Sequence, residues 1–210
     1  MKSIVSTMLL TLFVGSNTIL LAEDQVPEGK SKEPEAEKTV VIGASAPLFK
    51  IKDSAGKEID LAKLTEKGPV LVRLTCGCSG CDKELAYFQT LHEEYKDMGL
   101  TSLAIFREPD AKVEEYVKQK KLNMLYAVDS GGESWKVFQT KTMPTNFLIE
   151  KGGKIRSIAA GCDPSGLLAN KVSQYVAELL ETEKIDVQEK ADLKAAAQQK
   201  EAAKAPAIGD

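Results

Sequence analysis

The sequence predicts an α/β domain with a central mixed sheet flanked by helices and an N-terminal β-hairpin, on three observations. Short apolar runs of β-branched character alternate with stretches whose apolar residues recur every three or four positions, the pattern of strands alternating with helices. Two pairs of short alternating segments are joined by turn-forming residues, as in hairpins. The second hairpin makes one strand pair antiparallel, so the sheet is mixed.

The elements follow in order. Phe49-Lys50-Ile51-Lys52 and Glu58-Ile59-Asp60-Leu61 alternate apolar and polar around Asp53-Ser54-Ala55-Gly56, a hairpin. Pro69 to Thr75 is a short apolar run that reads as a buried strand. Leu85, Phe88, Leu91 and Tyr95 then give the stripe of a helix that ends at Gly99. Leu100 to Phe106 is a second buried strand, Asp110 to Lys120 a polar-faced helix and Met124 to Val128 a third strand. A short helix over Glu133 to Phe138 precedes Pro144. Thr145 to Ile149 and Lys154 to Ala159 flank Glu150-Lys151-Gly152-Gly153 as the second hairpin, and Leu167 to Leu180 closes with an amphipathic helix. Trp135, the only tryptophan, is expected in the core.

The flanks have a different composition. Met1-Lys2-Ser3, an apolar stretch to Leu21 and the small Ala22 predict a signal peptide over 1–22, cleaved after Ala22. An uncleaved membrane tether is the alternative, and no cysteine stands close after Ala22 to carry a lipid. Residues 23–39 are charged and contain Pro27 and Pro34, so they read as a disordered linker before a domain at 40–181. Residues 182–210, rich in Ala, Lys, Glu and Gln, read as a charged tail, a solvated helix or a disordered one. The net charge of −3 is spread along the chain and leaves no electrostatic footprint for nucleic acid.

Four cysteines in an exported chain would ordinarily suggest two structural disulfides. The spacing argues against that here, because Cys76, Cys78 and Cys81 crowd into six residues while Cys162 stands far away. Cys78-Ser79-Gly80-Cys81 falls where a strand ends and a helix begins. Unpaired backbone N–H groups and the helix dipole there favour thiolate over thiol, and the spacing lets the second sulfur attack a mixed disulfide formed at the first. Cys78 is the expected nucleophile and Cys81 the resolving thiol.

Further segments extend this pattern: Gly43-Ala44-Ser45-Ala46-Pro47-Leu48-Phe49, Gly56-Lys57-Glu58-Ile59-Asp60-Leu61, Cys78-x-x-Cys81-x-x-Glu84, Met143-Pro144-Thr145 with Phe147-Leu148-Ile149, and Gly153-Lys154-Ile155. Together they resemble the TlpA/ResA-like thioredoxin-fold oxidoreductases of bacterial envelopes, within the redoxin (AhpC/TSA) superfamily, over residues 42–180. The resemblance implies a thioredoxin-like fold, a periplasmic or envelope location, and exchange with protein thiols and disulfides fed by an upstream redox partner, with no cofactor. It also implies a cis peptide before Pro144, placed against the cysteine pair, with Met143, Thr145 and Gly161 around the substrate chain; a trans proline at a strand start is the alternative. Glu84 is implied to handle protons for the buried thiol, its pKa raised by desolvation, or else to complement the helix dipole. Asp82 and Lys83 are expected in solvent. Gly77 and Gly80 depart from the family, which usually carries Trp before the first cysteine and often Pro before the second.

Cys162 follows Gly161 in a loop that borders the site in such folds, so Cys76 and Cys162 are candidates for a second redox pair, and an inert buried thiol is the alternative for Cys162. Two other functions compete. Thr75-x-x-Cys78 fits half of a peroxiredoxin motif, although Leu71 stands where a proline is expected. Cys76, Cys78 and Cys81, with or without Cys162, would also suit copper(I) or zinc. The only histidine, His92, lies about 16 Å along the helix from Cys81 and is not expected to join them.

Overall fold

The computed structural model describes residues 39–204. The signal peptide expected over 1–22, all but the last residue of the linker expected over 23–39, and the end of the tail lie outside the described residues. The described residues contain seven strands and seven α-helices: β1 (Lys50–Lys52), β2 (Glu58–Asp60), α1 (Leu61–Lys67), β3 (Val70–Thr75), α2 (Ser79–Asp82), α3 (Leu85–Tyr95), β4 (Thr101–Phe106), α4 (Asp110–Lys120), β5 (Leu125–Val128), α5 (Glu133–Val137), β6 (Thr145–Ile149), β7 (Ile155–Ala160), α6 (Leu167–Leu179) and α7 (Val187–Lys204). A 3-10 turn at Lys96–Met98 extends α3. No helix among them is long and apolar enough to cross a membrane.

β1 and β2 form the expected antiparallel hairpin, with Ile51 opposite Ile59. The other five strands make one mixed sheet in the order β5-β4-β3-β6-β7, parallel from β5 to β3 and antiparallel from β3 to β7. β3 is central and every residue in it is buried. Because side chains alternate across a strand, Val70, Val72 and Leu74 enter a core with Phe49, Leu103, Ile105, Trp135, Phe138 and Phe147. Leu71 joins the opposite core with Leu148, Phe88, Leu91 and Tyr95 of α3 and Val172 and Val176 of α6.

Three local features differ from the sequence reading. α1 was not anticipated; Asp60 starts it by accepting from the Ala62 and Lys63 N–H groups. The helix that begins after Cys78 is broken at Lys83 and Glu84, which separate a single turn, α2, from α3. The third concerns 182–210, placed outside the domain as a tail. That segment contains α7, whose Val187 and Ala191 are buried against the α3 and α6 side of the molecule. Ile185 N–H donates to Tyr95 Oη at 2.9 Å, and Ser173 Oγ donates to the Ile185 carbonyl at 2.6 Å. Val187, Ala191 and the partly buried Ile185 are enough to seat this polar stretch when buried hydroxyls wait for its backbone.

Candidate active site: three thiols at the end of the central strand

Cys76 follows the last residue of β3, and Cys78 is the N-cap of α2, its backbone extended at φ −84°, ψ 156°. Cys81 lies one turn further on. Cys76 and Cys81 are buried while Cys78 is exposed. The three sulfurs lie within 4.8 Å of one another, a grouping able to hold a soft metal ion, and Cys76 Sγ is 3.1 Å from Cys81 Sγ. All four cysteines carry free thiols.

The three environments separate the thiols chemically. Cys78 is pulled below the ordinary value of 9.0, first by a hydrogen bond from the Cys76 side chain, then by the Cys81 N–H, against a smaller opposing effect of burial. Cys76 is pushed strongly up, first by burial and then by donating to Cys78 and Cys81. Cys162 is also raised, by burial first and then by the nearby Glu84 carboxylate. An exposed thiol with a stabilised thiolate is the one suited to meet a substrate disulfide.

The peptide before Cys78 is anchored by Gly77 N–H donating to Glu108 Oε1 at 3.0 Å. A cavity of about 190 Å³ opens beside Cys78, lined by Phe106, Glu108, Lys112 and Tyr116 among others. A Cβ on Gly77 would stand 3.2 Å from the Tyr116 ring. Tyr116 therefore occupies the space over the cysteine turn that a larger residue at 77 would need. Its hydroxyl donates to Asp82 Oδ1 at 2.9 Å, and Lys120 Nζ pairs with Asp82 Oδ2 at 2.6 Å. Asp82, expected in solvent, is thus a half-buried anchor of α2.

Beneath α2 lies an ion pair that the sequence reading missed. Arg73, 2% exposed, points from β3 toward α3 and stacks on Phe88, with its guanidinium carbon 4.7 Å from the ring centre. Its Nη1 donates to Glu84 Oε1 at 2.5 Å and to Asn146 Oδ1 at 2.9 Å, and its Nη2 donates to the Cys81 carbonyl at 3.2 Å. In an unbroken helix that carbonyl would accept from the Leu85 N–H; here it faces the guanidinium, and the helix breaks at this point. Glu84 is 1% exposed and its other oxygen accepts from Asp163 N–H at 2.8 Å. Sequence offered one signal, an arginine inside an otherwise apolar strand.

The Asp163 loop supplies the other wall. Asp163 caps α6 by accepting from the Leu168 N–H at 2.6 Å and from Ser165, and these hydrogen bonds lower its pKa despite burial, the largest single influence, which acts the other way. Gly166 at the head of α6 has φ +81° and presses on Tyr87, where any Cβ would stand 2.6 Å from the ring. Cys162 in this loop is exposed and donates from Sγ to the Gly80 carbonyl at 2.9 Å. It stands outside the three-thiol cluster, whose close sulfur pair is Cys76 with Cys81.

Of the residues expected around the substrate, Met143 is exposed and the Met143–Pro144 peptide is cis. Leu74 pairs with Thr145, so Pro144 faces the end of β3 just before the cysteines. Gly161 N–H donates to the Pro144 carbonyl at 2.9 Å. Thr145 is buried, turns its hydroxyl to the Thr142 carbonyl at 2.7 Å and lies paired between Leu74 of β3 and Ala160 of β7.

Residues 42–158 match the model of the AhpC/TSA family. The thiol-disulfide oxidoreductase ResA of Bacillus thuringiensis subsp. konkukian is 38% identical over 120 residues, covering 57% of this chain and 69% of that protein. The DsbE structure from Chlorobium tepidum shares the fold with a TM-score of 0.62 at 22% identity, over 68% of this chain and 99% of that one. So does peroxidoxin BcpB of Mycobacterium tuberculosis, with a TM-score of 0.55 at 20% identity over 69% and 96%. The fold by itself is common to exchange and peroxidase proteins, whereas the sequence likeness runs to ResA. With more than half its length matched by one family model and ResA similar over two thirds of its own length, the chain belongs to the AhpC/TSA family, as a ResA-like thiol-disulfide oxidoreductase.

Proposed function

We propose that this oxidoreductase is exported and exchanges disulfides with protein substrates through Cys78 and Cys81. The observation that carries the reading is the division of labour between the two thiols: Cys78 is exposed with a favoured thiolate, and Cys81 is buried directly behind it. The Cys78 thiolate attacks one sulfur of a substrate disulfide, and the other substrate sulfur leaves as thiolate. Cys81 then attacks Cys78 Sγ, the mixed disulfide breaks, and the substrate departs with both sulfurs reduced. The electron pair has passed to the substrate and the protein holds a Cys78–Cys81 disulfide. An upstream redox partner reverses the sequence.

Other residues take supporting parts. Met143, Pro144 and Gly161 form the rim against which a substrate chain lies, and Glu84 moves the proton of the resolving thiol. The signal-like residues 1–22 support export, with cleavage or a retained tether as its two forms. The test is reduction of insulin by the reduced protein. Cys78→Ser is expected to abolish it and Cys81→Ser to accumulate mixed disulfides; full activity of Cys78→Ser would remove Cys78 from its role.

A further inference from the structure

Cys76 is a third thiol that the exchange just described does not use. It is not a distant staple, since its sulfur is 3.1 Å from Cys81 Sγ, both are buried, and Cys78 is the outer member of the trio. We propose that Cys81 has two disulfide partners in this chain, and that the Cys78–Cys81 disulfide rearranges to a buried Cys76–Cys81 disulfide that returns Cys78 to the surface as a free thiol. The proposal rests on the reading of Cys78 and Cys81 as the redox pair and extends it.

The step is an internal exchange with no net oxidation. Cys76 loses its proton and attacks Cys81 Sγ; the Cys76–Cys81 bond forms, the Cys78–Cys81 bond breaks, and the electron pair leaves on Cys78 Sγ. The proton released by Cys76 ends on Cys78 or in solvent. Exchange leaves fastest from the more acidic thiol, and Cys78 is the acidic member. The geometry asks little of the backbone. Closing 3.1 Å to a bond of about 2.05 Å needs a shift of about 1 Å. Residues 76 and 77 lie between β3 and α2, with the glycine next to Cys78, which heads α2 and accepts from the Asp82 N–H.

The Cys76–Cys81 form has a chemical property that the Cys78–Cys81 form lacks. It is oxidised and still presents a nucleophile. Cys78 can then attack a wrongly paired substrate disulfide and be released by another thiol of the same substrate, so that bonds in the substrate are reshuffled without prior reduction of the protein. Cys162 is not needed, because its sulfur is turned to the Gly80 carbonyl outside the cluster.

The experiment is differential labelling of the reduced protein after one equivalent of diamide. Free thiols are blocked with light N-ethylmaleimide under acid quench, disulfides are reduced, and the released thiols take the heavy reagent. Tryptic residues 74–83 carry Cys76, Cys78 and Cys81, residues 157–171 carry Cys162, and fragment ions assign each label. In the wild-type monomer we expect a population with light Cys78 and heavy Cys76 and Cys81, and in Cys78→Ser a monomer with heavy label on both remaining thiols of the trio. Light Cys76 in every oxidised molecule of both proteins, or heavy Cys162 in place of Cys76, overturns the rearrangement. In that case heavy Cys78 with heavy Cys81 in the wild type leaves the oxidoreductase reading standing, whereas light Cys81 throughout overturns both.

Discussion

The acidity of Cys78 is made by its neighbours, and the largest contribution comes from a side chain two residues away. A thiol that donates to a thiolate stabilises the charged form, so removing the donor raises the pKa of the acceptor. Alkylation of the reduced protein by iodoacetamide follows the thiolate fraction of Cys78, and its rate is expected to climb with a midpoint below the ordinary 9.0. Cys76→Ala takes away that hydrogen bond and is expected to move the midpoint upward; an unmoved midpoint would assign the effect to the backbone N–H groups and the Cys81 side chain. The place of this site is legible in the sequence, because Cys78-x-x-Cys81 after an apolar run marks where β3 gives way to α2. The pairing of the remaining thiols is not. Cys76 and Cys162 are each near the site by sequence logic, and only the fold shows that the sulfur of Cys76 lies against Cys81 while that of Cys162 turns to a carbonyl.

Between α2 and α3 the helix is interrupted by a charge held under it. Arg73 and Glu84 are both almost wholly buried, so the pair itself contributes little net stability, while either member left alone is expensive. Glu84→Ala is expected to lower unfolding stability by about 3–5 kcal/mol in a denaturant titration, and Arg73→Met added to Glu84→Leu to restore most of it. Glu84→Gln keeps the shape without the charge and is expected to alter the pH dependence of insulin reduction; an unaltered profile would confine Glu84 to holding Arg73. Most of the elements were legible with their order and type, because β3, β4 and α4 have unmixed periods, whereas α1 was not. The break was not, since the partners of Arg73 stand 11 and 73 residues away and meet it only when β3, β6 and α3 are assembled.

Across the whole molecule, the cysteine turn, the Asp163 loop and the cis proline gather at one end of the sheet, and α7 straps the α3 and α6 face. Its polar composition hides this role. Ala, Lys, Glu and Gln describe a helix content with water, and nothing in them announces that Val187 and the backbone of Ile185 complete a core already closed by Tyr95 and Ser173. A chain ending at residue 184 would lose the buried Val187 and Ala191, the valine alone worth about 1.5–3 kcal/mol, and the two hydrogen bonds of the Ile185 backbone worth about 1 kcal/mol each, so its denaturant midpoint should fall by the equivalent of at least about 3–5 kcal/mol. α7 packs on α3 and α6, and thiol exchange by the folded fraction should persist. A different consequence follows from Trp135. It is the sole indole, 4% exposed, and sits in a cluster that holds none of the cysteines. Its fluorescence should therefore emit at short wavelength in the reduced and oxidised protein alike and shift to the red only on unfolding, making this chromophore a probe of the core that is silent to the state of the sulfurs.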